Sequence, residues 1–266
     1  MSEVDPSSRQ PAQAYARARA LTAPISRRVA LGVIGVGAVA AGAVGIDRAL
    51  STPRAGGVLE AGGGCTALTP EQSVGPFYVH YNQLLRDITG GQAGVPLKLT
   101  IRIIDISSCR PISRAALSIW HANAPGVYSD EAVERTTGRT YLRGTQITDA
   151  RGQAEFHTIF PGWYTGRTQH IHVKVIERVA VSQHAYRGGT VVHIGQIFFP
   201  QAVDDAIARV TPYASNQNAF VTNAQDTLYV TEGGVDSVLA LSGTTGSGFT
   251  GSMVFGINSD ANYNHV

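Results

Sequence analysis

The chain of 266 residues has only two cysteines, Cys65 and Cys109, and neither lies in a CxxC or other zinc-binding spacing. GxGxxG, P-loop and coiled-coil signatures are missing, and so is any internal repeat. Those absences remove the sequence marks of dinucleotide binding, nucleotide-phosphate binding, coiled-coil assembly and solenoid stacking. A basic stripe is missing too. Seven of the 21 Lys and Arg fall in residues 1–55, against three of the 19 Asp and Glu. The rest of the chain therefore holds 14 basic and 16 acidic residues, a net charge of −2 that does not favour nucleic acid as a partner.

What is present begins with a leader. Ser26-Arg27-Arg28 opens a weakly apolar run from Val29 to Ile46, and Ala38-Val39-Ala40 and Ala41-Gly42-Ala43 offer small-residue cleavage sites. The run has the length of the shortest spanning helices, so a membrane anchor is the alternative, but its five glycines make it poorly hydrophobic. We read it as an export signal of the twin-arginine type, with membrane contact only in transit. The stretch Ser51 to Gly64, with Pro53 and five glycines, follows as a linker. Residues 1–55 are thus signal and linker, and residues 56–266 are long enough for one domain with a full core. In an exported protein the two cysteines are expected to form one disulfide; two buried thiols are the alternative.

Strand signals dominate the remainder. Leu97, Leu99, Ile101 and Ile103 alternate with Lys98, Thr100 and Arg102, the period of a half-buried strand. Further strands are predicted at Ala116 to His121, Ala154 to Ile159, His170 to Ile176, Val191 to Phe199, Thr227 to Thr231 and Met253 to Ile257. Asp149-Ala150-Arg151-Gly152 predicts a hairpin turn. One short helix is predicted at Ala202 to Val210, where Val203, Ile207 and Val210 share a face. The pattern is that of an all-β protein, an antiparallel sandwich with long loops and few short helices.

The chemistry concentrates in one string. His170 and His172 lie two apart in a β-branched stretch, so on a strand both imidazoles point to the same side. Tyr164 precedes them across a turn at Gly166. Phenolate with imidazole suits ferric iron better than zinc, because anionic oxygen stabilises the higher oxidation state. A second tyrosine, Tyr128, ends Pro125-Gly126-Val127-Tyr128, which echoes Pro161-Gly162-Trp163-Tyr164. Tyrosines at sandwich corners commonly do no more than hydrogen-bond the backbone. Two in matching turns, one of them joined to Arg167-Thr168-Gln169-His170-Ile171-His172, point further.

Together these strings resemble the intradiol ring-cleavage dioxygenases, the superfamily of catechol and protocatechuate dioxygenases. The resemblance is carried by Gly75-Pro76-Phe77-Tyr78, Ile119-Trp120-His121-Ala122-Asn123-Ala124 with Gly126-Val127-Tyr128, Thr158-Ile159-Phe160-Pro161-Gly162-Trp163-Tyr164, and Arg167 to His172. It implies a non-haem Fe(III) held by Tyr128, Tyr164, His170 and His172, with a catechol-type substrate and O2 as partners. It also implies that Arg167 stabilises negative charge on the substrate ring, that Gln196 lies beside it and that Tyr78 contacts substrate. One tyrosine, here Tyr164, would be displaced by the catechol and accept its proton. The product would be a cis,cis-muconate-type diacid.

The chain departs from the intracellular branches in three ways. Only five residues separate Tyr164 from His170, Thr168-Gln169 replaces the common Pro-Ala, and a helical N-terminal dimerisation domain is lacking. It is more similar to the shorter, secreted branch, which implies a more open pocket. Two rival readings remain at this point. One is a zinc hydrolase using His170, His172 and a third histidine among His121, His157 and His193. The other is a non-catalytic sandwich module. His80, His184 and His265 read as surface or core residues.

Overall fold

A computed structural model describes residues 66–264. The twin-arginine pair, the apolar run, the linker, Cys65 and His265 lie outside the described residues. Among the described residues, no helix is long and apolar enough to cross a membrane. The strands in chain order are β1 (Pro96–Asp105), β2 (Arg110–Pro111), β3 (Ala116–Trp120), β4 (Arg143–Ile147), β5 (Gln153–Ile159), β6 (His170–Glu177), β7 (Ala180–Val181), β8 (Tyr186–Arg187), β9 (Thr190–Phe198), β10 (Ala240–Thr244) and β11 (Gly248–Ile257). They form an all-β fold with two main sheets. One has the order β10-β11-β1-β2, with β5 also paired to β1; the other has the order β4-β3-β6-β9.

The alternation along β1 decides which side is core. Leu97, Leu99, Ile101 and Ile103 are fully buried and join a cluster with Phe156, Phe255, Leu117, Ile119, Ile171, Val173 and Val175. Each such side chain contributes about 1.5–3 kcal/mol on burial. Because successive strand residues face opposite ways, seating Ile171, Val173 and Val175 in this core turns His170, His172 and Lys174 to the outer face of the four-stranded sheet. The register then sets Trp120 on one side of His172 and Gln196 on the other.

Three expectations from sequence change. β1 and β11 pair in parallel, Leu97 opposite Phe249, so the five-stranded sheet is mixed. Everything between them, residues 106–247, serves as the crossover that parallel neighbours need. The Asp149–Gly152 turn forms, with the Asp149 carboxylate accepting from the backbone of Arg151 and Gln153. It is a corner between sheets rather than a hairpin, since β4 and β5 belong to different sheets. Thr227–Thr231 is a short helix, not a strand: Asp226 caps it by accepting from the backbone of Leu228 and Tyr229. A good cap outweighs the weak helix propensity of β-branched residues. The helix expected at Ala202 spans Gln201–Ile207.

Candidate metal and substrate site

The two matching turns pack directly against each other. Gly126 has φ +88°, and a Cβ there would lie 2.1 Å from the Trp163 carbonyl oxygen. A Cβ on Gly162 would lie 2.2 Å from the Asn123 carbonyl oxygen. Only glycine allows backbones to approach this closely. Asn216 Nδ2 stitches the pair, donating to the carbonyls of Ala124 (3.2 Å) and Trp163 (2.8 Å). The approach carries Tyr128 and Tyr164 to one point, with ring centroids 5.7 Å apart. Phe77 lies against both, stacked on Tyr128 at 4.4 Å and edge-on to Tyr164 at 5.3 Å.

The histidines approach from the sheet. His170 and His172 are buried, their ring centroids 4.9 Å apart. His170 Nδ1 donates to the Thr168 carbonyl at 2.7 Å, which leaves the Nε2 lone pair facing the Tyr128 hydroxyl at 3.5 Å. His172 lies flat against Trp120, centroids 4.8 Å apart and planes 3° from parallel. Both of its ring nitrogens are buried with no hydrogen-bond partner in the protein. Burial, followed by the charge of Arg167, holds both imidazoles well below the usual histidine range, so they are neutral and able to donate lone pairs.

Two guanidiniums border the cluster. Arg167 donates from Nε to Asp226 (2.9 Å), from Nη1 to the Tyr164 hydroxyl (3.3 Å) and from Nη2 to Gln196 Oε1 (2.5 Å). Arg143 is buried on β4 and donates to Ser129 Oγ, the Ser129 carbonyl and the Phe77 carbonyl. Its Cζ lies 5.7 Å from the Tyr128 ring centroid. Burial and then Tyr164 push the Tyr128 phenol well up, while Arg167 and Arg143 pull it back down.

The structure thus brings Tyr128, Tyr164, His170, His172, Arg167 and Gln196 together. Tyr78 lies one layer away: its ring is 5.1 Å from Trp120, its hydroxyl is 3.2 Å from His80 Nδ1, and Lys174 Nζ is 4.1 Å from its centroid. The aromatic face against the tyrosines belongs to Phe77. Among the described residues no three His, Cys, Asp or Glu side chains are grouped to hold a metal ion. Among the described residues, none of His121, His157 and His193 is grouped with His170 and His172 as a third ligand. His121 is satisfied by the Ala122 carbonyl and Thr158, His157 is half-exposed beside Glu155, and His193 bonds Glu71 and packs against Phe255 on the core side of the sheet. Arg143, Asn216 and Asp226 were not singled out from sequence. An Asp before Thr-Leu-Tyr marks a helix cap, but nothing in the string marks a tie to Arg167.

The residues fit a ferric ion. Two phenol oxygens, a histidine with its tautomer fixed and another with both nitrogens unpartnered form a buried donor set of hard and borderline character. A family model described as Dioxygenase matches residues 74–209. The chain is similar to an intradiol ring-cleavage dioxygenase from Tetranychus urticae, with 29% identity, 74% of this chain and 98% of that one covered, and a TM-score of 0.67. It is also similar to the dioxygenase domain of a dioxygenase and carbohydrate-binding protein fusion from Streptomyces sp. SirexAA-E (26% identity, 72% and 99% covered, TM-score 0.51). Catechol 1,2-dioxygenase from Pseudomonas arvilla C-1 shares the fold at 20% identity, 74% and 65% covered, with a TM-score of 0.50. No curated protein matches significantly. With the model covering half of the chain and the paired tyrosine turns lying inside it, the chain belongs to the Dioxygenase family and is an intradiol ring-cleavage dioxygenase.

Proposed function

We propose that the protein holds Fe(III) through Tyr128, Tyr164, His170 and His172, and opens catechol-type rings with O2 between the two hydroxyl-bearing carbons. The product is a cis,cis-muconate-type diacid. The observation that carries this reading is the meeting of two phenols and two neutral imidazoles, His172 with no other partner, beside the Arg167–Gln196 pair. The ferric ion, when bound, supplies a Lewis-acidic centre for both catechol oxygens.

The protein's own groups do the rest. Tyr164 is the less buried of the two tyrosines and is touched by Arg167 at its hydroxyl, so it is the one suited to swing away and take a substrate proton. Burial works against the Arg167 charge, but Tyr164 and Asp226 outweigh it and keep the guanidinium protonated. That fixed charge stabilises the negative charge developing on the ring. Trp120 and Phe77 close the apolar side and exclude water. All three nitrogens of Arg167 are engaged, so it is not free to clamp a carboxylate elsewhere on the substrate. This supports broad tolerance of ring substituents, with catechol and hydroxyquinol-type rings preferred.

The protein is also proposed to leave the cytoplasm by the twin-arginine route, as a folded chain, with Cys65 bonded to Cys109. Ser26-Arg27-Arg28 supports the route, and Cys109, at the turn after β1, is not a free thiol. Oxygen uptake by iron-loaded protein with catechol, hydroxyquinol and protocatechuate tests the activity. Uptake of one O2 per ring opened is expected. The reading fails if no catechol supports uptake. A preference for protocatechuate above about 10³ in kcat/KM, roughly 4 kcal/mol, would require a carboxylate site and overturn the tolerant pocket.

A further inference from the structure

We propose that Asp226 is the positioning residue for Arg167, held in place by a segment beyond the region matched by the family model. This rests on the proposed role of Arg167. Asp226 is fully buried and every side of its carboxylate is used. Oδ2 accepts from Arg167 Nε (2.9 Å) and from the Thr168 backbone (3.0 Å); Oδ1 accepts from Leu228 (2.9 Å) and Tyr229 (3.3 Å). One side chain therefore caps the Thr227–Thr231 helix and fixes both the guanidinium and the backbone two residues before His170.

The geometry explains why an acid is needed. A guanidinium has three edges, and Asp226 takes the Nε edge, which points Nη1 to the Tyr164 hydroxyl and Nη2 to Gln196. Gln196 is itself fixed by donating to the Ser73 carbonyl and by its backbone donating to Gln72. Without the carboxylate, Arg167 would keep two neutral partners, with its long side chain free to change rotamer. The surrounding segment serves the same end. Asn216 and Asn218 tie to the two tyrosine turns, Phe220 meets Trp163 edge-on at 5.1 Å, and Asn223 accepts from the Thr168 hydroxyl. Residues 216–226 thus brace both tyrosines and the arginine, although the family model ends at residue 209.

The test is a kinetic double-mutant cycle on iron-loaded enzyme with catechol: wild type, Arg167→Ala, Asp226→Asn and the double variant, with iron content and denaturation midpoint measured on each. Asp226→Asn should lose about 10–10² in kcat, the scale of a misplaced charge, with KM within about threefold and iron per chain unchanged. Added to Arg167→Ala it should cost nothing more, because it acts through that side chain. A merely structural role would lower iron content and multiply with Arg167→Ala. Asp226→Ser keeps a capping oxygen and repeats the measurement should Asn fold poorly. Arg167→Lys leaves the cap intact and keeps the charge but not the fork, so its kcat should fall alongside that of Arg167→Ala. A kcat for Asp226→Asn within twofold of wild type, a multiplicative double variant, or a wild-type-like Arg167→Lys overturns the positioning role. Wild-type protein that consumes no O2 with any catechol refutes the function itself.

Discussion

Gly126→Ala tests the claim that two turns pressed backbone to backbone assemble the tyrosine pair. The substitution meets two obstacles. Gly126 sits at φ +88°, a left-handed conformation that costs a residue with a Cβ about 1–2 kcal/mol. The added carbon would then lie 2.1 Å from the Trp163 carbonyl oxygen, a clash relieved only by moving one turn, at about 1–3 kcal/mol. The expected loss is about 2–5 kcal/mol of unfolding free energy. Gly166→Ala is the matched control: φ is +81°, but nothing lies within 4 Å of its Cβ, so only the backbone cost of about 1–2 kcal/mol applies. Urea denaturation of both variants gives the difference directly. Because Tyr128 is two residues from Gly126 and Tyr164 follows Trp163, Gly126→Ala should also weaken iron binding more than Gly166→Ala does. If the two variants agree within about 0.5 kcal/mol and bind iron alike, the turn contact does not assemble the site.

Arg167→Ala should keep its iron and catechol binding while kcat falls by roughly 10²–10³; turnover within a few-fold of wild type would refute its role. Burial, offset in part by the Ala122 carbonyl, lowers His121 to about 4 from its ordinary 6.5. The unfolded chain takes up that proton first, so this contribution to stability is complete above pH 6.5 and is lost as pH falls toward 4, about 3 kcal/mol in all. His121→Gln should flatten that slope in pH-dependent denaturation, and an unchanged slope would count against it. Cys109→Ser should cost roughly 2–4 kcal/mol, and quantitative thiol labelling of the exported protein without reductant would count against the bridge. Replacing Arg27 and Arg28 together by Lys should abolish export, and unimpaired export would assign another route.

The sequence displays best what a period can encode. β1 is a half-buried strand, so its alternation identified its core face; β6 is buried on both faces, and only the two-residue spacing of His170 and His172 placed both imidazoles on one side. β4 escaped notice because Arg143 and Thr145 are buried on it; their partners, Ser129, the Phe77 carbonyl and Ser118, are 14 to 66 residues away. Thr227–Thr231 reads as strand by composition, and only the Asp226 cap makes it helix. In Gly75-Pro76-Phe77-Tyr78 two aromatics stand side by side at a turn through Pro76 and Phe77. Sequence alone does not say which faces the tyrosines; the structure seats Phe77 there and Tyr78 against Trp120 and Lys174. Asp226 was out of reach for a different reason. Its tie to Arg167 spans 59 residues and leaves no local pattern.

The central claim is a ferric ion held by two tyrosinates and two histidines, and metal content measured together with the visible spectrum tests it most directly. About one Fe(III) per chain is expected, with a coloured protein whose absorption arises from tyrosinate-to-iron charge transfer. Tyr164→Phe should weaken or shift that band, and His172→Ala should lose the iron. Stoichiometric zinc in a colourless, correctly folded protein would contradict the account.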